Sequence, residues 1–235
     1  MSERGDARTR RAALGCIALL GLLACQGPVA PRAPRLVSLA TVAPEVELEL
    51  RYAGPDNFVG AAVDGYERPV CLLTEPAARA LAAVQRDLAA EGLGLRVYDC
   101  YRPRRAVAHF ARWARDPDER TKATYYPRVA KSALFAEGYV AERSGHSRGS
   151  TVDVTLVERR EGGVGAPVDM GTPFDLFDPR SHTDSPEVNE AQRARRHRLR
   201  DAMGSRGFRP YPLEWWHFTL ADEPYPGDYF DVPVR

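Results

Sequence analysis

Apolar and polar positions alternate along this chain in two registers, and they sort it into strands and helices. Val46, Leu48 and Leu50 interleave with Glu45, Glu47 and Glu49, a period of two that predicts a strand from Glu45 to Tyr52. The polar, glycine-bearing run from Asp56 to Glu67 predicts a loop. Leu81, Val84 and Leu88 recur at helical spacing behind Thr74 as N-cap, with Glu75 and Pro76 in the first turn and Gly92 as the stop. Leu95 to Tyr101 reads as a short strand. A second helix opens at Pro103 and runs to about Arg115, with Val107, Phe110, Ala111 and Ala114 as its apolar stripe. Asp116 to Ser132 is polar and shows no clear period. Thr151 to Leu156 reads as a strand and Glu158 to Pro186 as a long loop, a length that points to function in a compact domain. Ser185 and Pro186 cap a third helix through about Gly204, whose arginine run (Arg193, Arg195, Arg196, Arg198, Arg200) predicts a solvated face. Trp215 to Leu220 is the last strand. Strands and helices mix without a βαβ rhythm. The expected class is α+β: a single domain with a central antiparallel sheet flanked by helices.

The first residues follow neither period. Arg4, Arg8, Arg10 and Arg11 precede an apolar run from Ala12 to Ala24, shorter than the ~20 residues a spanning helix needs. The run ends Leu22-Leu23-Ala24-Cys25, which resembles a bacterial lipoprotein box in which Cys25 is lipidated and becomes the new N-terminus. A plain signal peptide and a short uncut anchor are the alternatives. Three prolines in the eight residues Gly27 to Pro34 read as an extended tether. The expected organisation is therefore a lipoprotein-type signal segment at 1–25, a proline-rich tether at 26–35 and a folded domain at 36–235. The expected location is the bacterial cell envelope, as a periplasmic lipoprotein that meets the membrane only through its N-terminal lipid. An unprocessed segment would leave the protein secreted or cytoplasmic.

Composition narrows the partners. The 235 residues, 44% of them hydrophobic, suffice for one core. With 33 basic and 32 acidic residues the net charge is +1, so no uniform field draws nucleic acid or anionic lipid, and no protein partner is implied. Cys16 and Cys25 belong to the leader. Cys71 and Cys100 remain, and in an exported domain two cysteines suggest a disulfide; two unrelated buried thiols are the alternative.

Candidate chemistry sits on two strands and a turn. On the strand from Thr151 to Leu156, Val152, Val154 and Leu156 share one face and Asp153 and Thr155 the other. A carboxylate in so apolar a strand is costly unless something compensates it. On the last strand Trp216, Phe218 and Leu220 share one face, His217 and Thr219 the other. His146 lies seven residues before Asp153, in a Ser-Gly-His-Ser-Arg-Gly turn able to fold back. Two imidazoles and one carboxylate with an open fourth position form the ligand pattern of catalytic zinc. Glu214, three residues before His217, reaches such a centre only if the strand bends at its start; it would then accept the proton of a water acidified by the metal. Hydrogen-bonded structural histidines are the alternative. His109, His182 and His197 read as structural or solvated.

Longer blocks add a resemblance. Ser144-Gly145-His146-Ser147-Arg148-Gly149-Ser150-Thr151-Val152-Asp153-Val154-Thr155-Leu156 closely resembles the zinc motif of D-alanyl-D-alanine dipeptidases of the vancomycin-resistance type. Glu214-Trp215-Trp216-His217, Asp99-Cys100-Tyr101-Arg102-Pro103, Met170-Gly171-Thr172-Pro173-Phe174-Asp175, Asp56-Asn57-Phe58 and the closing Asp222-Glu223-Pro224-Tyr225-Pro226 through Tyr229-Phe230-Asp231 follow that family in order. The resemblance implies one Zn²⁺ per chain on His146, Asp153 and His217, with Glu214 as base and later acid. It implies that Arg102 stabilises the oxyanion and that Asp175 anchors the substrate's amino group, while Tyr52 and Ser144 line the pocket. The substrate it implies is a small D,D-dipeptide; the lipoprotein-type leader, not the resemblance, would place its cleavage outside the cytoplasmic membrane, in wall-peptide recycling or editing. A D,D-carboxypeptidase acting on longer stems and a non-catalytic wall-binding lipoprotein are the rival readings. Gly145 departs from the second serine of the resistance enzymes.

Overall fold

One strand has partners along its whole length, and the sheet is built around it. The computed structural model describes residues 33–160 and 163–235; the expected signal segment with Cys16 and Cys25, and the expected tether up to residue 32, lie outside the described residues. In chain order the strands are β1 (Leu36–Ser38), β2 (Glu47–Leu48), β3 (Leu72–Thr74), β4 (Leu93–Asp99), β5 (Thr151–Arg160), β6 (Gly163–Pro167), β7 (Phe208–Tyr211) and β8 (Glu214–Leu220). The helices are α1 (Leu39–Val42), α2 (Glu75–Ala89), α3 (Arg104–Trp113), α4 (Lys122–Tyr125) and α5 (Glu190–Gly204). β5 pairs with β4 on one edge; on the other it pairs with β8 near its start and β6 near its end, all antiparallel. β7 lies outside β8 and β2 outside β4, giving the order β2-β4-β5-β8-β7 with β6 beside β5. β1 and β3 form a separate antiparallel ribbon. The β2–β4 pair is parallel, so the sheet is mixed and not wholly antiparallel as expected. The connection between them carries β3 and α2, which gives the chain room to return in the same direction. The α+β class holds.

α2 packs on β4 and α5 on β7 and β8. Residues Thr151 to Val157 of β5 are buried on both faces, because a second layer of turns and aromatic side chains covers the face away from α2 and α5. That layer includes Tyr52, Phe58, Phe110 and Phe177 around the Asp175 loop. Cys71 and Cys100 form a disulfide with Cα atoms 5.3 Å apart. Among the described residues no helix is long and apolar enough to cross a membrane.

Several elements differ from the sequence pattern for identifiable reasons. The expected strand at Glu45 shrinks to Glu47–Leu48 and gives way to a 3₁₀ turn at Arg51–Ala53, which buries Tyr52. The alternation there is an edge effect: Glu47 and Glu49 both face Arg96 of β4. β5 runs on to Arg160 and pairs with β6, so the two strands take the start of the expected long loop. β7 escapes pattern reading because it contains Pro210, which is tolerated on an outer strand. The third helix begins at Glu190: Asn189 accepts from the Gln192 N–H at 2.8 Å, and Gln192 returns the bond to the Asn189 N–H at 3.0 Å. Its arginine run is not wholly solvated, because the loop from Met170 to His182 folds over Arg196 and buries it completely.

Candidate metal centre

Residues opposed across strands share a face, and one such row runs through the middle of the sheet. Asp99 of β4 stands opposite Asp153 of β5, which stands opposite His217 of β8. β8 alternates as the sequence predicts, with Trp216, Phe218 and Leu220 buried and His217 and Thr219 half-buried on the other side. His146 comes from the 3₁₀ turn Gly145–Arg148. Ser144 caps that turn by accepting the His146 N–H at 3.3 Å, and Gly149 ends it at φ +81°. That positive φ favours glycine, and a Cβ at position 149 would also press on Leu36 Cδ2 at 2.7 Å.

The three side chains converge. His146 Nε2 lies 3.3 Å from Asp153 Oδ2 and 3.3 Å from His217 Nδ1; His217 Nδ1 lies 3.1 Å from Asp153 Oδ1. Donors sharing one four-coordinate ion at ~2.0–2.1 Å sit roughly 3.4 Å apart, so these spacings fit a metal centre. Two further observations fit it. Asp153 Oδ1 is buried with no hydrogen-bond partner among the described residues, a cost that a cation would remove. His146 Nδ1 is 2.6 Å from the Cys100 carbonyl. A carbonyl only accepts, so the proton sits on Nδ1 and Nε2 offers its lone pair. Burial pushes the His217 pKa down, which keeps its imidazole neutral and able to ligate.

Around this centre stand three ionisable groups. Glu214 Oε2 is 3.4 Å from His217 Nδ1. An unbroken strand would place it on the opposite face, and the needed bend exists: the β7–β8 register shifts so that Pro210 opposes Phe218 while Tyr211 opposes Glu214. Burial, then the negative charges of Asp153 and Asp175, push Glu214 well above the usual carboxyl range. Arg102 holds Asp99 Oδ2 through Nε and Nη2, both at 2.9 Å, and its Nη2 lies 3.5 Å from Asp153 Oδ2. Burial disfavours its charge, but Asp99, Tyr52, Tyr66 and Asp153 together outweigh burial and keep the guanidinium cationic. Asp175 is the one non-glycine residue with positive φ (60°) among the described residues, and both its oxygens accept from Tyr52 Oη, at 2.9 and 3.1 Å. Burial and then Asp153 push its carboxyl up, against the pull of the Tyr52 hydroxyl, so an incoming cation is favoured there. Arg102, Ser144, Asp153, Asp175, Glu214 and His217 all line one cavity of about 230 Å³, walled by Phe58, Val107, Phe110 and Trp216. That is below the roughly 300–1,000 Å³ of sites for drug-sized ligands.

Residues 32–235 match a family model described as D-ala-D-ala dipeptidase. The chain belongs to the D-ala-D-ala dipeptidase family. A D-alanyl-D-alanine dipeptidase of Streptomyces coelicolor is 45% identical over 190 residues, which cover 80% of this chain and 93% of that protein. One from Enterococcus faecium is 45% identical over 193 residues, 81% of this chain and 93% of that protein. One from Escherichia coli is 36% identical over 185 residues, 79% of this chain and 84% of that protein.

Within this dipeptidase-family domain every site residue inferred from sequence faces the same cavity or its ligand cluster, except the cysteines. Ser144 serves as turn cap as well as wall, and its Oγ lies 3.5 Å from Arg102 Nη1. At Gly145 a Cβ would stand 2.8 Å from Thr151 Oγ1, so a serine there would require Thr151 to shift. His109, His182 and His197 contact Asp64, Tyr139 and Asp184, away from the centre. Sequence reasoning missed Asp99, whose carboxylate touches Arg102 and lies 3.4 Å from His146 Nδ1, and Tyr66, which donates to Asp99 at 2.7 Å. The burial cost that singled out Asp153 applies equally to Asp99 at the end of an apolar strand. Tyr66 carries no comparable signal.

Proposed function

We propose that this chain is a zinc-dependent D,D-dipeptidase that hydrolyses D-Ala-D-Ala, or a closely similar dipeptide, to free D-alanine. The observation that carries the reading is one small cavity with a two-imidazole, one-carboxylate donor set in its wall, Glu214 beside that set and Asp175 also facing it. His146, Asp153 and His217 would hold the ion. When bound there, zinc supplies Lewis-acid polarisation of the scissile carbonyl and lowers the pKa of water to ~7. Asp175, oriented by Tyr52, receives the substrate ammonium. Glu214 takes a proton from the water that attacks the carbonyl carbon. It later hands that proton to the leaving nitrogen as the C–N bond breaks, giving two amino acids. Arg102 donates to the carbonyl oxygen as negative charge develops there, in a pocket where dipoles and charges act more strongly than in water. The cavity volume favours a dipeptide over a longer stem.

The cellular part of the reading rests on the leader. Lipidation at Cys25 would hold the domain outside the cytoplasmic membrane, where wall-derived dipeptide is the available substrate and recycling or editing the matching role. A reporter fused after residue 30 tests the compartment. The chemistry is tested with Glu214→Ala. This variant should keep its zinc and lose about 10²–10⁴-fold in kcat, the usual share of a positioned base. Zinc retention with parent-rate cleavage of D-Ala-D-Ala would remove Glu214 from the mechanism. Preferential cleavage of N-acylated tripeptides would replace the dipeptidase reading with a carboxypeptidase one.

A further inference from the structure

Helix α5 hides one of its arginines. Arg195 and Arg198 reach outward to the Asp169 carbonyl and to Glu91, but Arg196 is fully buried. Its guanidinium donates to main-chain oxygens: Nε to Met170 O at 2.7 Å, and Nη1 to Arg180 O at 2.8 Å and His182 O at 2.7 Å. Nη2 lies 3.4 Å from Thr172 Oγ1. Among the described residues it has no carboxylate partner.

Burying a guanidinium without a counter-ion is costly, and an aliphatic side chain would fill a helix–loop contact without that cost. What the guanidinium alone provides is a rigid planar fork of donors. Here the fork spans one loop from end to end, with Met170 and Thr172 where it starts and Arg180 and His182 where it finishes. Between those ends sits Asp175 at φ 60°, a backbone state that persists only where its surroundings enforce it. The same network reaches the metal-bearing strand, because Thr172 Oγ1 also accepts from Trp215 Nε1 at 2.8 Å, next to Glu214. Ser181 Oγ tightens the loop from inside by donating to Leu176 O at 2.7 Å.

We infer that Arg196 is a positioning residue for substrate recognition: by pinning both ends of the Met170–His182 loop it sets Asp175 at the distance that selects peptides with a free amino terminus. The inference rests on the reading of Asp175 as the ammonium anchor. Arg196 touches no substrate, so its loss acts through Asp175 and leaves the metal ligands in place.

The test uses the full chain, metal-loaded, and compares D-Ala-D-Ala with its desamino analogue propionyl-D-Ala. The readout is the ratio of the two kcat/KM values. Arg196→Lys keeps the charge and loses the fork; it is expected to cut the ratio at least tenfold, chiefly through KM for D-Ala-D-Ala, with metal content unchanged. Amide hydrogen exchange across residues 170–182 should quicken in the same variant. Asp175→Asn should abolish the preference, and Arg196→Lys added to it should change the ratio less than twofold, since the two act as one unit. Should Arg196→Lys fail to fold, Thr172→Val, which removes one arm of the network, carries the same expectation at smaller size. If Arg196→Lys, or in its place Thr172→Val, keeps the parental ratio while Asp175→Asn loses it, the loop is positioned without Arg196 and the inference is wrong. If Asp175→Asn itself keeps the ratio, the ammonium-anchor reading fails and takes the inference with it.

Discussion

Arg102 shows how much one side chain is asked to do. Two of its nitrogens are committed to Asp99 Oδ2, while Nη1 has only the long contact to Ser144. A lysine would keep the charge but could not hold Asp99 and face the cavity at once. Arg102→Lys is therefore expected to lower kcat about 10²–10³-fold with metal content unchanged, measured by steady-state kinetics alongside elemental analysis. A fall below tenfold would mean that the guanidinium is only structural. At this scale the sequence was informative wherever a charged residue interrupts an apolar strand. Asp153 and His217 stand out against Val152, Val154, Trp216 and Phe218 because burial of the odd residue demands a partner. Arg196 gave no such signal. It lies on the buried stripe of Leu199, Ala202 and Met203, but Arg195, His197 and Arg198 around it mask the pattern, and its burial comes from a loop that is distant in sequence.

At the scale of elements, strands that feed the centre are fixed by features outside the strands. The disulfide joins Cys71, just before β3, to Cys100, just after β4, and Cys100 supplies the carbonyl that orients His146. It closes a separation of 29 residues, which corresponds to about 3–4 kcal/mol of stability. Replacing both cysteines by serine should reduce the unfolding free energy by roughly that amount in urea titrations and weaken metal retention. An unchanged urea midpoint would show the bridge to be dispensable. Long periodic elements were legible in advance: α2, α3, β4, β5 and β8 all carry their spacing in sequence. The β7–β8 register shift that turns Glu214 toward His217 was legible only as a requirement, since the sequence demanded a bend without supplying its form. The parallel β2–β4 pair and β7 were not legible, because a two-residue edge and a proline-bearing strand fall below any periodic signal.

Across the whole molecule the C-terminal segment ties the site together. Phe230 O accepts from Arg104 N at the start of α3, and Phe230 N donates to Ser147 O beside His146. Asp231 pairs with Arg105 at 3.0 Å, Val232 N donates to Tyr101 Oη at 2.8 Å, and Val234 N to Gly65 O at 2.8 Å, next to Tyr66. Ending the chain at Asp228 should therefore cost on the order of 3–5 kcal/mol, at ~1 kcal/mol per lost bond, and reduce kcat/KM because three site-bearing segments loosen together. Unchanged turnover in the truncated protein would separate the strap from the site. The central claim is that His146, Asp153 and His217 share one ion on which hydrolysis depends. It is tested most directly by stripping the purified protein of metal and titrating zinc back while following D-Ala-D-Ala cleavage. The account predicts no cleavage in the stripped protein and a linear recovery that ends at one zinc per chain; cleavage by the stripped protein at the loaded rate would contradict it.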